Sequence, residues 1–263
     1  MRKPDKFTLV PEEALAWLKA KKLKPGFDYR DVWQDEHRAA FTIAKMTQLD
    51  LLADVRQLVE AALENGRTFA QFRAELEPLL IKRGWWGQKL TDDPLTGETK
   101  LVQLGSDRRL RVIYDTNMRT SRAAGQWERI ERTKRAMPYL IYTLGPSREH
   151  RADHVRWAGV CLPVDDPFWN THMGPNGWGC KCGVRQVSRY EYDQMKQNGS
   201  IKTSAPPERY VKWVNKRTGE EESIPEGIDP GWAYNPGTAR GRELDAALAQ
   251  KQTAFDSYTP PRQ

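Results

Sequence analysis

The chain has 263 residues, 38% hydrophobic and 29% charged, with a formal charge of +7 at neutral pH. That length admits one large domain or two small ones, and ten tryptophans permit a core of modest size. No apolar run approaches the ~18 residues of a membrane helix, and no apolar stretch follows Met1-Arg2-Lys3-Pro4-Asp5-Lys6, so neither a membrane partner nor a secretory leader is expected. Cys161, Cys180 and Cys182 are odd in number and clustered, which argues against a disulfide framework and for a reducing compartment. The positive balance favours an acidic partner, either nucleic acid or an acidic protein surface.

In chain order, Leu9-Val10-Pro11 opens a short helix whose Ala14, Trp17 and Leu18 form one apolar face, closed by Pro25-Gly26. Residues 36–65 carry the strongest helical pattern, with Phe41, Ala44, Leu49, Leu52, Val55, Val59 and Ala62 near one stripe and Asn65-Gly66 as the stop. Thr68-x-x-Gln71 is a capping box for the next helix, with Pro78 as an expected kink. A small hairpin is predicted near 88–104, turning at Asp93-Pro94 and Thr96-Gly97.

Residues 107–135 predict a long basic helix. Arg108, Arg109, Arg111, Arg129, Arg132, Lys134 and Arg135 gather toward its two ends, which suits contact with phosphates or an acidic surface. The alternative is a solvated face held by i, i+4 pairs such as Asp115–Arg119 and Glu128–Arg132. A strand at 139–144 follows, with a partner strand at 183–187, and Ser188-x-x-Glu191 caps a short helix. Beyond Gly199 come a Pro-rich linker, a strand at 210–214, several turns and an amphipathic helix from Glu243 to Phe255, too short to stand alone in water. The expected fold is therefore α+β: a helical scaffold over 1–137, a small turn-rich β-containing module over 138–199, and an extended arm over 200–263 ordered by a partner.

The module holds the chemistry. Residues 149–184 contain all three cysteines and three of the four histidines, punctuated by prolines and glycines that rule out one long helix. His150 and His154 are spaced to share a helix face. Cys180 and Cys182 are spaced to point the same way on a strand, roughly 6.6 Å apart. His154, Cys161, Cys180 and Cys182 could thus close a zinc site. The competing reading has buried cysteines and turn-bonding histidines, with no cofactor at all. Asp165 and Asp166 open a turn, while Trp169 and Trp178 are expected to plug the module between strand and helix.

Arg151-x-x-His154, Gly159, Asp165-Asp166-Pro167-Phe168-Trp169 and Pro175-Asn176-Gly177-Trp178-Gly179-Cys180-Lys181-Cys182 resemble the signature of the phage Mu F-like minor head protein family. The resemblance extends upstream through Gly84-Trp85-Trp86-Gly87 and residues 113–119, covering about 5–190, whereas Cys161 is not part of the family pattern. It implies a non-enzymatic minor capsid component of a tailed phage, acting in head morphogenesis. The same resemblance implies docking at the portal protein or major capsid protein, with contact to packaged double-stranded DNA, and a location in the virion after assembly in the host cytoplasm. Two other readings compete. One is a metal-dependent nuclease using His150 or His154 as base, structural cysteines and Asp165 or Asp166 for a cation. The other is a free DNA-binding protein using the basic helix.

Overall fold

A computed structural model describes residues 11–238. The expected helix at Glu243–Phe255 lies outside them, as do Leu9 and Val10.

Four helices build the N-terminal half: α1 (Glu12–Lys19), α2 (Leu49–Glu64), α3 (Phe69–Lys82) and α4 (Asp107–Thr133). The predicted helix over 36–65 begins at Leu49 instead. Ahead of it, Gln34–Arg38 forms a 3-10 turn, and strand β2 (Ala40–Phe41) pairs in parallel with β1 (Lys22–Leu23). Lys45 has a positive φ of 67°, incompatible with a continuous helix. The apolar residues before Leu49 recur at helical spacing because they line the same core, so periodicity alone could not separate them.

The helix caps fall where the sequence puts them. Thr68 N–H donates to Gln71 Oε1 at 2.9 Å, and Ser188 Oγ accepts from Glu191 N–H at 3.2 Å. Helix α3 runs through Pro78. The hairpin consists of β3 (Gln88–Asp92) and β4 (Thr99–Gln103), paired antiparallel.

Helix α4 is the spine. Ser106 caps it, and its 27 residues reach about 40 Å at 1.5 Å per residue. Its first half, through Leu110, Ile113 and Met118, packs in a core with α1, α2 and α3. Its second half, through Trp127 and Ile130, enters a different core built on a three-stranded antiparallel sheet. In that sheet β5 (Tyr139–Thr143) lies between β6 (Cys161–Pro163) and β7 (Gly183–Val187). Between β5 and β6 lies α5 (Ala152–Trp157); between β6 and β7 lies α6 (Trp169–His172). Alternation along β5 sends Leu140 and Tyr142 into the core, while Tyr139 stacks at 3.9 Å on Tyr192 of α7 (Arg189–Gln197).

Residues 200–238 do not stand off as an arm. Strands β8 (Tyr210–Val214) and β9 (Glu221–Pro225) form a hairpin, and the chain then returns to place Ile228 and Trp232 in the second core. Trp213 stacks on Trp33 at 4.9 Å, and Asn235 donates to the carbonyl of Trp169 at 3.1 Å. Composition alone read this stretch as linker because its turns are dense in Pro and Gly. Its few apolar residues nevertheless find pockets on the body.

Candidate functional site

Helix α5 presents His154 into the second core. The turn ending at Cys180 and the residue just before β7, Cys182, bring two thiols to the same imidazole. Cys180 Sγ lies 3.7 Å and Cys182 Sγ 3.5 Å from His154 Nδ1. The other ring nitrogen, Nε2, is 2.9 Å from the carbonyl oxygen of Gly227. A carbonyl can only accept, so Nε2 carries the proton in the neutral ring and Nδ1 turns a lone pair to the sulfurs. The ring is stacked on Trp157 at 4.7 Å and faces the edge of Tyr142.

The two thiols differ electrically. Cys182 is driven down, first by the hydrogen bond from Cys180, against the opposing cost of burial. Cys180 is pushed up because its proton is committed to Cys182 and because it is buried. Tyr142 is pushed up by burial and by the neighbouring thiols. The two thiols therefore titrate as one unit beside the imidazole.

Among the described residues, His154, Cys180 and Cys182 are the group of His, Cys, Asp or Glu side chains close enough to hold a metal, with ligand atoms within 4.8 Å of one another. Cys161 is not in that group. The alternation that sends Val160 and Leu162 into the core turns Cys161 to the opposite face of the sheet, near Arg185 and Glu191, where burial raises it to about 11. His150 precedes α5 rather than sharing its face with His154.

The carboxylates that the nuclease reading would need for a cation make structural contacts, and Asp166 opens the turn as expected. Asp166 Oδ1 accepts the N–H of Phe168 at 2.9 Å, and exposed Asp165 pairs with Lys134 at 2.7 Å. Trp169 is fully buried and donates to the Pro163 carbonyl at 2.9 Å. Trp178, expected as a second plug, is 45% exposed and meets Tyr29 and Trp232 edge-on. Around it, Pro175 follows a cis peptide bond, and Gly177 leaves no room for a side chain: a Cβ there would lie 2.3 Å from both Arg151 and Asp229. Gly179 adopts a positive φ of 73° that ends the turn.

Much of the basic set on α4 is also committed. Arg109 donates to the carbonyls of Ala44 and Gln103 and lies over Trp85, and Arg111 stacks over Phe69. Arg129 and Arg132 converge on Glu13 of α1, and Lys134 bonds both Glu131 and Asp165. Arg108 and Arg135 are exposed.

Two anchors escaped the sequence reading. Asn176 is wholly buried; its Oδ1 accepts from Tyr142 at 3.1 Å and its Nδ2 donates to the Thr171 carbonyl. Asp229 receives Arg151 at 2.9 Å and the N–H of Trp178 at 2.8 Å. The Asp229-Pro230-Gly231 run announced only a turn, and nothing local in it pointed to a partner 78 residues away.

The family described as Phage Mu protein F like protein matches residues 53–185. A protein of Escherichia phage Mu named for capsid assembly, protein F, is 35% identical over 92% of this chain and 57% of its own length. The Mu-like prophage FluMu F protein of Haemophilus influenzae is 33% identical over 78% of this chain and 51% of its own length. This chain thus spans about half the length of these relatives. No solved structure matches it. With its middle half matched and its sequence shared with these relatives from the N-terminal scaffold through the thiol–imidazole cluster, the chain belongs to the Phage Mu protein F like family.

Proposed function

We propose that the chain is a minor capsid component that acts in head morphogenesis of a tailed phage, docking on the portal protein or on the inner surface of the major capsid shell. The observation that carries this reading is the 35% identity, over nearly the whole chain, to a protein named for capsid assembly. The exposed Trp178 and Tyr29 beside the Trp33–Trp213 stack support it, since aromatic side chains held on a firm body are the anchors of docking interfaces. On this reading the protein is structural rather than enzymatic. The nuclease alternative is disfavoured by the structural commitments of Asp165 and Asp166. Arg108 and Arg135 would be its points of contact with packaged DNA.

The test is a phage in which this gene carries an early stop codon. Heads should fail to mature into DNA-filled particles, and complementation should restore both infectivity and the chain's peptides in purified heads. Normal yields of filled heads without the chain would overturn the proposal.

A further inference from the structure

The thiol–imidazole cluster has the dimensions of a metal site. A tetrahedral zinc ion, with Zn–S near 2.3 Å and Zn–N near 2.0–2.1 Å, sets its sulfur and nitrogen ligands roughly 3.6 Å apart. The two sulfur-to-Nδ1 distances are 3.7 and 3.5 Å. A lone thiol–imidazole hydrogen bond would account for one such contact. Here both sulfurs meet the same nitrogen at that spacing.

The surroundings are those of metal ligands. Ligating imidazoles bond their second nitrogen to a carbonyl or carboxylate, which fixes ring orientation and tautomer, and Nε2 of His154 does this with Gly227. Two sulfurs and one imidazole form a soft donor set that suits zinc and excludes magnesium or calcium.

We propose that His154 Nδ1, Cys180 Sγ and Cys182 Sγ bind one zinc ion. Among the described residues no further His, Cys, Asp or Glu joins the cluster, which leaves the fourth position to solvent. Cys180 and Cys182 also stand on the wall of a groove of about 860 Å³ beside α4. The ion ties α5 to the turn before β7, and through Gly227 holds the returning C-terminal segment. It is a structural staple, and the inference stands independently of the head-assembly reading.

The test uses the full chain purified under reducing conditions. Elemental analysis should find one zinc per chain, and cobalt exchanged into the site should give an intense thiolate-to-cobalt charge-transfer band. Zinc content should be unchanged in Cys161→Ser and lost in Cys182→Ser and in His154→Ala. Because those two variants can lose their fold, chelation of the wild-type chain provides a second arm: the melting temperature should fall on chelation and recover with zinc. A folded, reduced wild-type chain without zinc that also takes up no cobalt would overturn the proposal. A Cys180–Cys182 disulfide in that preparation would do so as well.

Discussion

Arg217 reaches Asp93 across 124 residues of sequence, and both side chains are nearly sealed from solvent, 7% and 2% exposed. Arg217 Nη2 bonds Asp93 Oδ1 at 3.0 Å, and Nη1 takes the other carboxylate oxygen. Its Nε bonds Asp31 at 2.8 Å. One guanidinium therefore pins the β8–β9 turn to both the N-terminal scaffold and the β3–β4 hairpin.

Removing it strands Asp93 in a buried position. Arg217→Ala should destabilise the fold by about 3–5 kcal/mol, the usual cost of leaving one member of a buried pair uncompensated. In a double-mutant cycle, Asp93→Ala should then cost far less in the Arg217→Ala background than in the wild type. Chemical denaturation of the four proteins measures this, and additive losses would show that the pair is not coupled.

Two histidines make stability depend on pH above the range where carboxylates titrate. Burial, with the Lys21 ammonium adding, pushes His37 down from 6.5 to about 3, and burial pushes His172 down to about 4. Both folded values lie below the unfolded one, so the unfolded chain binds more protons below pH 6.5. The stabilisation from the neutral rings is complete above that value and is lost as pH falls toward the folded values. Between pH 6 and 5, stability should drop by up to about 1.4 kcal/mol per pH unit for each ring. Denaturation midpoints across this window should fall less steeply in His37→Gln, and an unchanged slope would remove His37 from the account.

Trp169 and Trp178 should separate stability from docking. Trp169→Ala empties a buried site and should cost about 3–5 kcal/mol. Trp178 is half exposed, so Trp178→Ala should leave the melting temperature within a few degrees of wild type while impairing incorporation into heads. Equal thermal losses for the two would mean that Trp178 is an internal prop.

At Gly125, α4 touches the backbone of α1. A Cβ there would lie 2.7 Å from the backbone nitrogen of Ala14 and 3.1 Å from its Cα. Alanine gains up to about 1 kcal/mol of helix propensity over glycine, but forcing two helices apart costs about 1–3 kcal/mol. The obstacle is backbone and cannot swing aside, so Gly125→Ala should be net destabilising. Thermal unfolding decides the sign, and a rise in melting temperature would show that α1 yields freely.

The local signals were the legible ones. Thr68-x-x-Gln71, Ser188-x-x-Glu191, the turn residues between β3 and β4, and the aromatic run of β5 each specify structure through bonds within a few residues. The family resemblance was legible too, because Pro175–Cys182 combines rare residue types at fixed spacing. The start of α2 was not, because strand and helix residues lining one core share an apolar pattern. Nor was the placement of Cys161: β6 has only three residues, too few for alternation to show which face each one takes.

By itself, then, the sequence determined the long helices, the caps, the family and the gathering of histidine and cysteine in one segment, since all of these rest on short-range stereochemistry or on residue identity. Only the tertiary structure decided that Cys180 and Cys182, but not Cys161, face His154, and that Gly227 orients its ring. It alone paired α4's basic residues with Glu13, Asp165 and backbone carbonyls, and brought residues 200–238 back onto the body. Each of these depends on which faces meet when distant segments pack, and pairings of that kind leave no periodic trace along the chain.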